Sequence, residues 1–443
     1  MSPEISPALL TDFYELTMAS ALLAEGRAEV PAVFSLFVRS LPPSRGYLVT
    51  AGLDDVLAHL QRFRFTPEDL GGLARLAPFD PAFLAWLGEV RFTGRVRAVP
   101  EGRIAFADEP LLEIHAPFGV AQILETYLLN QVTLQTTLAT KAARCRQAAA
   151  GRALVDFSLR RTHGADAGMK VARCSAIAGF DATSNVAAAI RYRLEVRGTM
   201  AHSYVTAHDS EVESFRCFAR HYFSDPVLLV DTYDTATGVD RAIEVGLELR
   251  ASGRNLAAIR LDSGDLAELA HLSRARLDAA GLHDVRIFAS GGLDEHDIER
   301  LLAGGAPIDG FGVGTRLGVS EDAPSLETVY KLVEVDGRPV AKTSTGKQTL
   351  PGPKQVWRRP GFAGDVIGLL GEPEPEAGAE PLLVEVTPEA AGDPAAAVAE
   401  ARERFEADWA ALPEGHKRLT DPTPYPVERS SGLRALTASR IAP

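Results

Sequence analysis

The sequence predicts an α/β protein organised around a parallel βα barrel, with an α+β domain assembled from its N-terminal and C-terminal segments. Two observations carry this. Between residues 153 and 320, short apolar β-type runs each end in a polar or glycine-rich cluster before a helical stretch begins, the alternation of parallel βα units. At 443 residues, the chain also exceeds one ordinary hydrophobic core. The expected division is an N-terminal α+β domain at 1–125, a βα-barrel domain carrying the chemistry at 126–330, and a C-terminal segment at 331–443 that packs back on the first and ends in a helix.

In order along the chain, VPAVFSLFVRSLP reads as a strand, YLVTAGLDDVLAHLQRF as a helix, and VRFTGRVRAVPEGRIAFADEPLLEIHAP as a meander with glycine-containing turns. Residues 118–150 lack proline and place Ile123, Leu124, Tyr127, Leu128 and Leu134 at helical spacing, predicting a long helix with one break. The barrel strands are then ALVDFSL, AIAGF, RGTMAHSYV, PVLLVDTYDT, LAAIRLDSGD, VRIFASGGL and IDGFGVGTRL. GVDRAIEVGLELRA, DLAELAHLSRARLDAAG and DEHDIERLLAGG lie between the later ones as amphipathic helices. Strand and turn patterns resume over 329–359, GEPEPEAGAEP is an acidic loop, and DPAAAVAEARERFEADWAALPEG is a helix followed by an irregular tail.

Composition excludes several classes. No apolar run is long enough to span a bilayer, and 46 basic against 59 acidic residues leave a net charge of -13, unsuited to holding nucleic acid through an overall field. An anionic small substrate would need locally placed arginines. The three cysteines, Cys145, Cys174 and Cys217, lack the close spacing of zinc or redox motifs and read as reduced, buried thiols. The N-terminus carries no secretory pattern, so the expected compartment is the cytoplasm.

In βα barrels, chemistry sits where strands end. Two glycine clusters stand there, Ser290-Gly291-Gly292 and Gly312-Val313-Gly314-Thr315, able either to form a cup of backbone amides for a phosphate or simply to make tight turns. Neither matches the P-loop or the dinucleotide fingerprint. Arg260 and Asp262, alternating to one side of a strand, could hold a phosphorylated sugar or form a structural ion pair, and Asp265 reads as a helix cap. Arg160 and Arg161 end another strand and could receive an anion, while Phe157 is either core or a platform for a flat ring. His202 could be a general base, a nucleophile or structural; it lacks a second histidine at a metal-binding interval, and no protein metal site is expected.

These segments together resemble the nicotinate phosphoribosyltransferase family over nearly the whole chain. The carriers are LLTDFYELTMA at 9–19, DFSLRRTHGADAG at 156–168, GFDATSNVAAA at 179–189, GTMAHSYV at 198–205, LVDTYDT at 229–235, IRLDSGDL at 259–266, FASGGLDE at 288–295 and DGFGVGTRL at 309–317. The resemblance implies an irregular, incomplete βα barrel of the type II phosphoribosyltransferase kind. It implies transfer of phosphoribosyl from phosphoribosyl pyrophosphate to nicotinate for NAD synthesis, with Mg2+ on the substrate phosphates and ATP as co-substrate. His202 would become a phosphohistidine and act in catalysis with Arg260 and Asp262, which address the phosphoribosyl portion. Phe157 and Tyr14 would stack on the pyridine, Tyr14 reaching across a homodimer; Arg160 would lie near ring and phosphates, and Arg161 would help bind the carboxylate. Ser290, Gly291, Gly292, Gly312, Gly314 and Thr315 would hold the phosphate ester.

Rival readings are a nicotinamide or quinolinate phosphoribosyltransferase, a phosphate-binding barrel aldolase or isomerase, and a non-catalytic sensor of phosphoribosyl compounds. An aldolase or isomerase would need a lysine or glutamate at a strand end. The predicted strand ends contain no lysine.

Overall fold

The computed structural model describes residues 6–222, 224–342, 344, 348–390 and 392–441. Thr343 and residues 345–347, inside the stretch read as strand and turn, lie outside the described residues. The chain divides into two compact units, one of 1–140 with 323–443 and one of 141–322, and the helix Glu125–Ala149 contains the first division point.

The first unit is built on a six-stranded antiparallel sheet in the order Arg338–Pro339, Thr328–Val335, Pro31–Val38, Pro110–Pro117, Arg95–Ala98, Val384–Val386. Three early strands stand together at its centre with late strands on both sides: Phe34 pairs with Leu332 and Ile114, and Val96 with Val386. Helices Phe13–Ala24, Leu53–Arg62, Pro67–Leu76 and Pro81–Glu89 contribute Leu16, Val56, Leu60, Leu73, Phe83 and Leu87 to a shared core with that sheet. A second sheet of four strands joins Glu380–Pro381, Lys354–Arg358, Asp365–Leu369 and Val427–Arg429.

The second unit is a six-stranded, wholly parallel sheet in the order Ala182–Thr183, Ala153–Asp156, Gly310–Val313, Arg286–Ala289, Ala258–Leu261, Val227–Leu229. It curls into a half-barrel and does not close. Ile259, Leu261, Ile287, Ala289, Phe311 and Val313 alternate to one face of this sheet and leave almost no exposed surface, while Arg260 and Phe288 on the other face are only half-buried. Helices Thr235–Ala251, Leu266–Ala279 and Glu295–Ala303 occupy the intervals expected of them. Asp234, Asp265 and Asp294 each cap the following helix through backbone N–H groups.

Several expectations are corrected. Tyr47–Gly52 is not helical: Leu48–Val49 pairs with Ile104–Ala105, and the helix begins only after Gly52, whose φ of 105° only glycine tolerates readily. AIAGF is not a strand, because Ala176 and Ile177 end the helix Ala165–Ile177 and the strand is the two residues Ala182–Thr183. RGTMAHSYV forms no strand either; Val196 bridges Thr183 and His202 opens the short helix His202–Thr206. The irregular tail contains the strand Val427–Arg429 and the helix Ser431–Ile441. The predicted break in the long helix falls at Leu124, between Phe118–Ile123 and Glu125–Ala149. All three cysteines are free, and Cys217 is only half-buried.

Asp265 accepts from the N–H groups of Ala267 and Glu268, both at 3.1 Å. Asp265→Ala should cost about 1 kcal/mol, read as a lowered urea midpoint together with faster amide exchange in the first turn of its helix.

Candidate functional site

One face of the half-barrel sheet is made from residues in register. Phe288 pairs with both Arg260 and Gly310, Gly310 with Ala153, and Gly312 with Val155. Glycine at 310 and 312 is required by what lies above them. A Cβ at Gly312 would stand 2.4 Å from the Phe157 ring, and one at Gly310 would stand 2.9 Å from the Phe288 ring. The two rings meet at 6.2 Å with a 57° tilt, so an aromatic floor adjoins Arg260.

Arg260 is half-buried, and its Nη1 donates to Thr199 Oγ1 at 2.8 Å. Its Nε is buried and has no hydrogen-bond partner among the described residues. Burial lowers its pKa; Asp262 and Asp231 oppose that shift, and Arg160 adds like-charge repulsion. A guanidinium whose buried Nε–H lacks a partner could receive an anion, because leaving that donor unmatched costs free energy. A cavity of about 560 Å³ lies against the same sheet face toward the strand N-termini, lined in part by Ala182, Thr199, Val227, Ala258 and Phe288.

Asp262 follows the strand Ala258–Leu261 and joins three neighbours. Ser290 Oγ donates to its Oδ1 at 2.5 Å, and His202 Nε2 stands 4.0 Å from its Oδ2. Its backbone N–H donates to Asp231 Oδ2 at 3.0 Å, an oxygen that also accepts from Ser263 Oγ at 2.6 Å. His202, with 45% of its side chain exposed, has Nδ1 3.1 Å from Thr232 Oγ1. That contact leaves Nε2 as the ring nitrogen facing Asp262. Asp231 Oδ1 is buried without a hydrogen-bond partner among the described residues.

Arg160 and Arg161 lie on the exposed 3-10 turn Leu159–Arg161. Beneath that turn, Asp156 accepts from Ser158 N–H at 2.9 Å and from Thr183 Oγ1 at 2.7 Å, fixing where Phe157 and the arginines emerge. Burial pushes the Asp156 carboxyl up, against those hydrogen bonds. Gly291 and Gly292 are exposed with φ of 97° and 67°, and a Cβ on Gly291 would overlap the Asp262 carbonyl oxygen at 1.9 Å. Gly314 caps the short helix Thr315–Gly318 on the next strand, so both glycine loops follow adjacent strand ends. Tyr14 belongs to the other unit, where it is 49% exposed in a run with Leu10, Phe13 and Met18.

Thus Ser290, Asp231 and His202 gather around Asp262, with Thr232 on His202, while Arg260 is held by Thr199 and interacts with Asp262 and Asp231 electrostatically; Thr199, Thr232 and Asp231 are three partners that sequence reasoning missed. Asp231 had a readable signal, a carboxylate directly after an apolar strand. Thr199 had none, since its segment reads as a strand that does not form and its bond to Arg260 is a tertiary contact.

The N-terminal domain model of nicotinate phosphoribosyltransferase matches residues 9–133, and the nicotinate phosphoribosyltransferase family model matches 152–358. The chain belongs to the nicotinate phosphoribosyltransferase family. Among its relatives in that family, nicotinate phosphoribosyltransferase pncB2 of Mycobacterium tuberculosis is 53% identical over 382 residues, 86% of this chain and 81% of that protein. Nicotinate phosphoribosyltransferase of Bacillus subtilis is 43% identical over 80% of this chain and 73% of its own. The crystal structure of human nicotinic acid phosphoribosyltransferase superposes with a TM-score of 0.86 at 31% identity, covering 97% of this chain and 99% of the human one. Within this family member, Gly312→Ala should displace the Phe157 ring and raise KM for the pyridine substrate about ten-fold, with a smaller change in KM for the phosphoribosyl donor, in steady-state assays varying each substrate.

Proposed function

We propose that this chain transfers the phosphoribosyl group of phosphoribosyl pyrophosphate to the ring nitrogen of nicotinate, giving nicotinate mononucleotide and pyrophosphate in NAD biosynthesis. Family membership over both matched regions carries the reading. The half-barrel is then the incomplete barrel of a type II phosphoribosyltransferase, with its reaction at the strand C-termini.

The reaction asks for charge handling more than proton transfer. Pyrophosphate departs from a ribose carbon that gains oxocarbenium character while a neutral nitrogen enters, so cations must meet the leaving charge. Arg160 and Arg161, exposed and beside the aromatic floor, serve the phosphates. Phe157 supports the pyridine, and Tyr14 reaches the ring from the second subunit of a homodimer; its exposed apolar neighbours Leu10, Phe13 and Met18 favour such a contact. Asp262, held by Ser290, addresses the ribose. The loops at Ser290–Gly292 and Gly312–Thr315 hold the phosphate ester.

Among the described residues, no group of three or more His, Cys, Asp or Glu is placed to hold a metal ion. A magnesium ion would ride on substrate phosphates and neutralise the departing pyrophosphate, with Asp262 and the unpaired oxygen of Asp231 as the carboxylates suited to its water shell. ATP serves as co-substrate by phosphorylating His202 at Nε2, the nitrogen not engaged by Thr232; the γ-phosphoryl group bonds to nitrogen as ADP leaves.

Acid selectivity needs an arginine withdrawn from water, since an exposed one is rehydrated at little cost when it meets an amide. That description fits Arg260 better than the exposed Arg161, to which the resemblance pointed. Nicotinate should be turned over far better than nicotinamide by the purified protein, and Arg260→Gln should narrow the ratio of the two kcat/KM values by about ten- to a hundred-fold. Arg161→Ala should change both substrates alike. Comparable turnover of the amide by the native protein would refute the acid-selective assignment.

A second outcome isolates His202. With nicotinate, phosphoribosyl pyrophosphate and magnesium present, His202→Ala should leave slow pyrophosphate release that ATP no longer accelerates. Undiminished acceleration by ATP would remove His202 from the coupling.

A further inference from the structure

The residues behind the two glycine loops are more charged than a turn requires. The helix following the first loop starts with three carboxylates: Asp294 as its cap, Glu295, and Asp297, which closes a capping box with Asp294. Such a helix start would repel a phosphate a few residues away unless its charges were compensated. The compensation comes from two directions.

Arg316 stands one residue beyond Thr315 of the second loop. Its Nη1 donates to Asp294 Oδ2 at 2.8 Å and to Asp297 Oδ2 at 2.9 Å, while Nε lies 3.0 Å from Glu321. Asp294 correspondingly has a lowered pKa: burial raises it, and the helix-start hydrogen bond and Arg316 outweigh that. From the opposite side, Glu295 is fully buried between Lys141 Nζ at 2.5 Å and Arg144 Nε at 2.8 Å, two cations with 1% of their side chains exposed. Asp322 adds a contact to Lys141 at 2.9 Å. A buried charge left without its partner costs several kcal/mol, as an order of magnitude, so Glu295 has one allowed position.

We propose that Arg316 is a positioning residue that ties the Ser290–Gly292 and Gly314–Thr315 loops into one phosphate-binding unit and offsets the acidic helix start beside them, with Glu295 on Lys141 and Arg144 as the fixed anchor. The inference rests on the reading of these loops as the phosphate-ester cup. Arg316 touches no substrate; it acts through Asp294 and Asp297. Removing it would let the loops move independently and expose two carboxylates to the incoming phosphate. The loss should therefore fall on the donor substrate and spare the pyridine.

The test uses the full chain with Arg316→Ala, Arg316→Gln and Arg316→Lys. Arg316→Ala and Arg316→Gln should raise KM for phosphoribosyl pyrophosphate about ten-fold, with KM for nicotinate unchanged within about two-fold. Inhibition by ribose 5-phosphate, which carries only the ester phosphate, should weaken in parallel, and inhibition by pyrophosphate should not. Arg316→Lys should recover part of the loss. The cup is tested separately on the native protein: if ribose 5-phosphate does not compete with phosphoribosyl pyrophosphate, the phosphate-cup assignment is wrong. If it competes natively but Arg316→Ala and Arg316→Gln leave both constants unchanged, the positioning role alone is overturned. It is equally overturned if both KM values and the melting temperature shift together without preference for the donor.

Discussion

The hydrogen bond from Ser290 Oγ to Asp262 Oδ1 couples two neighbouring strand ends, and the arrangement of the site follows from it. Parallel strands deliver polar groups to one edge of a sheet, but register alone does not fix side chains beyond the last ladder bond. Asp262 is fixed because its three attachments converge: the serine takes one oxygen, Asp231 takes its backbone N–H, and the other oxygen faces His202. The Gly291 backbone can pass over the Asp262 carbonyl only because it lacks a side chain. The same contact that holds the carboxylate thus determines where the first glycine loop begins.

Much of this was legible in the sequence. Asp234, Asp265 and Asp294 stand before amphipathic runs and cap them, and the four strands ending at Leu229, Leu261, Ala289 and Val313 are short, mostly apolar runs followed by polar or glycine-rich clusters. What misled was short apolar sequence with no periodicity. AIAGF has strand-like composition, but its first two residues complete the helix Ala165–Ile177, and the true strand beside it has only two residues. Around His202 the chain is held by tertiary contacts, among them Thr199 to Arg260 and His202 to Thr232, which no local pattern encodes. Adjacent Arg160 and Arg161 looked equivalent to Arg260 as anion receptors. Only burial separates them, and burial belongs to the fold.

An acidic protein that handles polyanions must confine positive potential to one place. In the proposed function, guanidinium groups of very different exposure would do this. Arg160 and Arg161 stand at the surface, where screening makes them adaptable, whereas Arg260 is withdrawn beside an aromatic floor, where a mismatch is costly. Affinity for phosphates and discrimination between pyridines can therefore be set by different residues on the same sheet. Glycines at 310 and 312 make the floor possible by leaving the sheet bare beneath both rings.

A barrel that stops half-way keeps two free margins of backbone, and unpaired margins invite foreign strands. In this protein one margin is Ala182–Thr183, with Val196 bridged against it, and the other is Val227–Leu229. Neither offers a length of ladder on which an intruding chain could gain much. The sheet stays open for a ligand and still gives aggregation little template to grow from.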